Sequence, residues 1–573
     1  KRMVISHSAQ VPEGYASTTE TADYLIKELG GARTQDGQAT AWRGGLMLTS
    51  EFSRGQLDVL GFEGTNAESH MQHLRSLGVL LERGAPLVAK GARSLAELQA
   101  QLAAHVGHER FKAALWGVKV VSLETGKVIF EAHPERLLSP ASNSKLYTGA
   151  LALDRLGGDY RIVTPILATA KPEADGTLRG DVVVSGRGDP SWNSGSARKK
   201  FDEIFEPFVA TIAGAGVKRI AGDIVADGTF FRGVPTGAGW TADDLNDYYG
   251  AEVSALTVED NYADLRIVPG ANVGQPAAIT LVQPHTGLVL DNRVTTTAAG
   301  SSRRIVVRRL IGEHVVHVFG EIPLKNAPVI DEATVPRPAQ WFATALKAAL
   351  EKRGIAVEGK ARSVRWPDAP ATGTNAVTLG ELLSPQMQEL VAAFMKPSQN
   401  LHTDLIFDYV GERSRAVDAP AWRSSEDCGV LALREFLRAN KLEADDVRFE
   451  EGSGLSRNNL TSARATVALL SFMAKHREAE AFRASLPVAG VDGTLRRRMK
   501  ASPAEGNLRA KTGTLRWANA LSGYVTTVAG EQLVFSAMLN RMVVPAGRSA
   551  REDVDAIGEM LARFGGKVGK TGE

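Results

Sequence analysis

Apolar residues recur along this chain with two periods, and the change from one to the other marks its elements. Leu95 to Val106 is rich in Ala and Leu at helical spacing, and Leu115-Trp116-Gly117-Val118-Lys119-Val120-Val121 then alternates as a strand. Thr125-Gly126 makes a turn, and Lys127-Val128-Ile129-Phe130 returns as a hairpin partner. A helix is predicted from Ser142 to Leu156, with Pro140 before it and Gly157-Gly158 after it. From about 165 to 380 the pattern is short strands broken by Gly and Pro, as in Asp181-Val182-Val183-Val184, Gly222-Asp223-Ile224-Val225 and Arg304-Ile305-Val306-Val307-Arg308. One helix stands inside that stretch, with Trp341, Ala345, Ala349 and Phe342, Leu346, Leu350 on a stripe that Gly354 ends. After about 380 helices dominate until a strand pair, Ala520–Val525 and Gln532–Met538, turns at Ala529-Gly530. Val554, Ile557, Leu561 and Phe564 share one face of a terminal helix, and the tail from Gly565 is expected to fray.

Composition adds exclusions. The 573 residues are 43% hydrophobic and 23% charged, and 67 basic against 65 acidic residues leave a formal net charge of +2. A chain this long has room for several domains, and its charge balance gives no reason to expect nucleic acid or an anionic membrane as partner. No apolar run reaches the ~20 residues that cross a bilayer, so no integral membrane segment is expected. No leader is visible at Lys1, and the chain does not begin with Met; either a leader has been removed or the sequence starts inside a longer one. Cys428 is the only cysteine, so no internal disulfide forms; without a nearby cation in sequence it reads as a buried small residue. Glu63, Glu68, His70 and His73 lack a defined third ligand and read as a polar helix face. His314 and His317 fall on opposite faces of a strand-like run, which disfavours a shared metal.

Three short patterns carry candidate chemistry: Ser142-Asn143-Ser144-Lys145, Ser398-Gln399-Asn400 and Lys511-Thr512-Gly513-Thr514. Each also has a decoy: Ser196-Ala197-Arg198-Lys199, Ser456-Arg457-Asn458 and Lys570-Thr571-Gly572. Context separates them. Ser142 opens an apolar helix and Lys145 follows one turn later on the same face, whereas Ser196 sits in a small polar loop crowded with cations. A serine hydroxyl needs a base, and a lysine serves only when desolvation or a neighbouring cation, here Lys511, makes its amine neutral. The helix start favours developing negative charge, with the Ser142 N–H as one oxyanion donor. Lys511 to Thr514 precedes a strong strand pair and is placed on an edge strand lining a cleft. There Gly513 is expected to admit a substrate backbone, and the Thr512 and Thr514 hydroxyls to face a carboxylate. Ser398 and Asn400 lie between two helical runs, where plain turn chemistry is an equal reading.

The three motifs in this order resemble the serine penicillin-recognising enzymes, and the stretches around them resemble the low-molecular-mass class C penicillin-binding proteins. These stretches are Pro140 to Lys145, Gly186-Arg187-Gly188-Asp189-Pro190, Tyr249-Gly250-Ala251 with Ser254-Ala255-Leu256, and Gly452-Ser453-Gly454-Leu455-Ser456. Further on come Leu486 to Gly490 with Asp492-Gly493-Thr494-Leu495, and Ala510 to Leu515 with Leu521 to Tyr524. The likeness runs from about residue 93 to 565. The 256 residues between Ser142 and Ser398, against 113 between Ser398 and Lys511, leave room for a large insertion that a compact β-lactamase lacks.

The resemblance implies an α/β (α+β) fold: a serine β-lactamase/DD-peptidase-like transpeptidase domain, helices around an antiparallel sheet, with a large strand-rich insertion. Its expected parts are 93–165 and 381–573, with the insertion at 166–380 and an unassigned segment at 1–92. It implies an exported D-Ala-D-Ala carboxypeptidase/endopeptidase of the periplasm or cell envelope. The substrates would be peptidoglycan stem peptides, with β-lactam antibiotics as covalent inhibitors and no metal or organic cofactor. Ser142 would attack the carbonyl of the penultimate D-alanine and Lys145 accept its proton. Ser398 and Asn400 would assist proton transfer to the leaving D-alanine and hold the peptide. Lys511 would supply positive potential, Thr512 and Thr514 engage the terminal carboxylate, and the Thr514 N–H be the second oxyanion donor. Asp189 reads as a turn residue ahead of a contact to a cationic stem-peptide side chain. Gln399 stands where the family often has Asp or Asn. Two rivals remain: a β-lactamase on the same fold, and a catalytically silent muropeptide-binding protein.

Overall fold

The computed structural model describes residues 91–195, 200–373, 376–544 and 549–568, and the backbone of four short strands nearer the start of the chain. Those strands, Met3–Val4, Ala32–Arg33, Ala39–Arg43 and Leu46–Thr49, form one sheet within a unit that ends at Gly91. The acidic and histidine cluster from Glu63 to His73 lies outside the described residues, as do the decoys at Ser196 and Lys570.

The second unit, Ala92–Glu573, holds every motif. Ser94 caps helix α1 (Leu95–Val106), and the hairpin β1 (Leu115–Ser122) and β2 (Val128–Ala132) follows. A 3-10 turn, Ala141–Asn143, then leads into α2 (Ser144–Leu156). The helix predicted to open at Ser142 therefore becomes regular two residues later, because Ala141 adopts φ 48 and turns the chain sharply.

The chain next builds a five-stranded sheet from β3 (Val163–Ala168), β4 (Val182–Ser185), β5 (Ile224–Asp227), β6 (Ala361–Val364) and β7 (Val377–Leu383). Their order is β6-β5-β4-β3-β7. Helices α3 (Glu206–Gly214) and α4 (Pro338–Lys352) cover it, and Phe205, Phe208, Ile212, Phe342, Leu346 and Leu350 pack with Ile166, Val182, Val184 and Ile224. Two three-stranded sheets between residues 262 and 334 join this core through Leu265, Val316 and Val318. His317 pairs through Nδ1 with Asp291 Oδ2 at 2.7 Å.

Helices α5 (Met387–Met395), α6 (Asn400–Arg413), α7 (Ser425–Ala439) and α8 (Ala463–Met473) come next. Three strands follow, β8 (Arg509–Leu515), β9 (Ala518–Thr526) and β10 (Gln532–Asn540), and then α9 (Ala550–Ala562). The last strands pair with the first hairpin in the order β8-β9-β10-β1-β2, antiparallel throughout. Leu151, Phe394, Phe407, Phe436, Leu469 and Val534 form the core on one face. Leu98, Leu102, Val120, Phe535, Ile557 and Leu561 form it on the other. The result is a sheet between two helical layers, with β8 as its edge.

One expectation needs correcting, and the buried reading of Cys428 holds. The tail is anchored through Val568: Gly565 N–H donates to Ala92 O, Val568 N–H donates to Glu531 Oε2, and both bonds measure 2.9 Å. Folding also places Arg415 and Arg423 near Cys428; burial still raises the thiol's pKa, and Arg415 is engaged by Glu412.

Phe342 is fully buried against Phe205 and Phe208. Phe342→Ala is expected to cost about 3–5 kcal/mol, read as a lowered melting midpoint of the region holding α4.

Candidate active site

Three segments far apart in the chain converge at the edge strand. The first is the turn that carries Ser142. Ala141 sits in the left-handed region at φ 48, and Gly454 (φ 85) packs so close that a Cβ there would lie 2.0 Å from Ala141 O. Asn143 Nδ2 donates to Ser522 Oγ at 2.7 Å, tying the turn to β9. Ser142 is half-buried, while Lys145 is fully buried.

Lys145 Nζ has three oxygen neighbours: Ser453 O at 2.6 Å, Asn400 Oδ1 at 2.7 Å and Ser142 Oγ at 3.2 Å. Two of these can only accept. A neutral amine has two N–H groups and one lone pair, so donating to Ser453 O and Asn400 Oδ1 leaves the lone pair for the Ser142 hydroxyl proton. Burial lowers the Lys145 pKa to about 8, against partial opposition from Asp404 and Glu451. At pH 7 that leaves about one amine in ten already neutral.

The acceptors are themselves fixed. Asn400 Nδ2 donates to Tyr249 O at 3.0 Å, which sets the amide with Oδ1 towards Lys145. Ser453 belongs to a loop wrapped around Glu451, a fully buried residue. This carboxylate accepts from Ser453 N–H at 2.9 Å, from Gly454 N–H at 2.7 Å and from Asn459 Nδ2 at 2.7 Å, and also from Ser453 Oγ.

Ser398 adopts φ 71 between α5 and α6, and its Oγ accepts from Lys511 Nζ at 2.8 Å. Gln399 points away from Lys145: its Oε1 caps Leu401 N–H and its Nε2 donates to Asp260 Oδ2 at 3.0 Å. Asp260 also receives His402 Nε2 at 2.8 Å and Asn193 Nδ2 at 3.3 Å. Burial would raise its pKa, yet His402 and these hydrogen bonds hold it below the usual carboxylate value.

Lys511 was expected to be the cation that depresses Lys145. It is fully buried and itself held well below the ordinary lysine value, by burial first, then by Lys145 and Arg498. Lys145 thus lowers Lys511, while the Lys145 shift itself comes from burial, which dominates for both lysines. Gly513 also has a packing reason: a Cβ there would lie 2.3 Å from Pro140 O, so glycine lets β8 close on the turn before Ser142. Thr512 Oγ1 pairs with Thr494 Oγ1 at 2.8 Å, whereas Thr514 is exposed. Ala510 N–H donates outward to Pro487 O. By the two-residue strand period, the Thr512 and Thr514 backbone groups then also face outward along the open edge. The decoy Ser456 is fully buried and bonded to Glu450. Asp189 is buried too, its Oδ1 accepting from Ser191 N–H at 2.9 Å while burial raises its pKa to about 6; this geometry is that of a turn residue.

Sequence reasoning assigned no role to Tyr249, Glu451, Ser453, Asp260 or Thr494. Tyr249, Ser453 and Thr494 stand in stretches that carried the family likeness, which was the available signal. Nothing in the sequence pointed to Glu451 or Asp260.

Comparison with known proteins gives a consistent picture. A model of the D-Ala-D-Ala carboxypeptidase 3 (S13) family matches residues 98–561. A D-alanyl-D-alanine carboxypeptidase of Actinomadura sp. (strain R39) is 34% identical over 495 residues, covering 84% of this chain and 88% of that protein. The D-alanyl-D-alanine carboxypeptidase DacB of Haemophilus influenzae is 24% identical, covering 73% of this chain and 84% of that protein. The crystal structure of penicillin binding protein 4 (dacB) from Haemophilus influenzae shares the fold. It has a TM-score of 0.69 and 23% identity, over 81% of this chain and 97% of that one.

The rate of Ser142 acylation by penicillin is expected to rise with pH through a midpoint of about 8, as Lys145 loses its proton. Asn400→Asp places a carboxylate against that amine and should move the midpoint upward and slow the reaction at pH 7. Stopped-flow acylation between pH 6 and 10 reads both.

Proposed function

The chain belongs to the D-Ala-D-Ala carboxypeptidase 3 (S13) family, and from that premise we propose that Ser142 and Lys145 perform its acylation chemistry on peptidoglycan stem peptides. The chain is a serine-type D-Ala-D-Ala carboxypeptidase. The observation that carries the residue assignment is the environment of Lys145 Nζ, where two acceptor-only oxygens, Ser453 O and Asn400 Oδ1, lie in hydrogen-bond reach beside Ser142 Oγ.

Ser142 Oγ attacks the carbonyl of the penultimate D-alanine and its proton passes to Lys145 Nζ. The Ser142 and Thr514 N–H groups receive the oxyanion. Collapse breaks the C–N bond, and the proton that Lys145 took from Ser142 Oγ passes through the Ser398 hydroxyl to the departing D-alanine amine. Lys511 and the Thr512–Thr514 edge hold the terminal carboxylate. Water then attacks the acyl-enzyme and regenerates Ser142. β-Lactams enter the same path and stop at the acyl stage. No step requires a metal or an organic cofactor. Residues 93–165 and 381–573 act as the penicillin-binding domain, 166–380 as its insertion, and the protein works outside the cytoplasmic membrane. No helix among the described residues is long and apolar enough to cross a membrane.

Labelled penicillin tests this reading. A long-lived adduct on Ser142 is expected. Rapid turnover of the drug would favour a β-lactamase, and absence of an adduct with retained muropeptide binding would favour a silent binder. Ser142→Ala should abolish acylation, and Lys145→Ala should slow it by about 10²–10⁴-fold with the fold intact. Full activity of Lys145→Ala at neutral pH would remove it as the base.

A further inference from the structure

The hairpin that joins β8 to β9 carries an expensive residue with no return inside the fold. Leu515 pairs with Ala518, so Arg516 and Trp517 alone make the turn. Trp517 adopts φ 70, a conformation for which glycine or asparagine is the usual choice at the second turn position. A bulky side chain there is strained, and Trp517 remains 50% exposed rather than packed. Its backbone is locked, because Arg541 N–H donates to Trp517 O at 2.7 Å. The Arg516 guanidinium lies 5.6 Å from the centre of the Trp517 ring, and among the described residues no carboxylate pairs with it.

This platform stands on the open part of the edge. The segment Pro487–Ala489 occupies the outer edge of β8 up to Ala510, where Ala489 N–H donates to Leu508 O and Val488 bridges to Arg509. From Lys511 onward β8 is the free border of its sheet. A substrate with its terminal carboxylate near Thr512 and its cleaved carbonyl at Thr514 N–H must continue beyond Thr514, towards Arg516 and Trp517. At about 3.3 Å per residue, that places the turn roughly two residues upstream of the cleaved bond.

We propose that Arg516 and Trp517 form a subsite for the acyl side of the substrate, taking a carboxylate-bearing residue that precedes the D-Ala-D-Ala end. Arg516 pairs with the carboxylate, and the indole gives the extended chain an apolar face to lie on. The proposal rests on the reading of Ser142 and Thr514 given above.

The test compares three peptides: acetyl-Glu-Lys-D-Ala-D-Ala, the same peptide with Gln for Glu, and the short acetyl-Lys-D-Ala-D-Ala. The wild-type chain is expected to prefer the Glu peptide over the Gln peptide by about threefold to fivefold in kcat/KM, the range of an exposed ion pair. Raised salt should shrink that preference. Arg516→Gln should erase it through KM, leaving the short peptide and penicillin acylation within about twofold. Trp517→Gly keeps the turn and should weaken both extended peptides but not the short one. Equal rates on the Glu and Gln peptides in the wild type would overturn the subsite, as would an equal loss on all three peptides in Arg516→Gln. Failure of the underlying reading is distinguishable, since penicillin would then leave no adduct on wild-type Ser142.

Discussion

The structure turns on one buried amine. Lys145 sits in the interior where a charged group is costly, and its three oxygen neighbours come from three parts of the chain: Ser142, Asn400 and Ser453. Removing it from water lowers its pKa to about 8, and fixing two acceptors around it decides where the lone pair of the neutral form points. The sheet, the helical layers and the loop around Glu451 are arranged so that these three oxygens meet. The segment between α2 and α5 takes part as well. It supplies Tyr249 O, which fixes the Asn400 amide, and Asp260, which holds Gln399 and His402 beside the second motif. A segment that follows α2 in the chain thus helps to set the position of the Asn400 amide beside Lys145.

Much of the fold was legible because burial imposes its period on the sequence. The β9–β10 pair, the helix at Leu95–Val106 and the stripe on α4 each bury one face or both, and their apolar spacing said so. What escaped was local conformation against the rule. Ala141 and Ser398 adopt positive φ values without being glycine, so no residue type announced the sharp turns they make. The anchored tail was missed for a related reason: Gly565 and Val568 are held by hydrogen bonds to Ala92 and Glu531, which lie far off in the chain.

The candidate site divides the same way. Ser142, Lys145, Ser398, Asn400 and Lys511 were named from motif and setting, and the fold joins them in two hydrogen-bonded groups, Lys145 with Ser142 and Asn400, and Lys511 with Ser398. Gly513 was named for a substrate's approach, and the fold adds a second reason, since its missing Cβ makes room for Pro140 O. Glu451 and Asp260 had no motif to reveal them; buried acids become readable only when their donors are seen. The depressed basicity of Lys145 was foreseen, but its main cause is burial and not the neighbouring Lys511.

Burial brings Lys145 within reach of its neutral form near neutral pH, and direct titration of its side chain tests this without reliance on kinetics. Lysine labelled at Nζ and Cε, with Lys145→Arg to assign the signal, reports the protonation midpoint by NMR. The account predicts a midpoint of about 8. A midpoint near the ordinary lysine value of about 10.4 would mean that Lys145 stays an ammonium at working pH, and would contradict it.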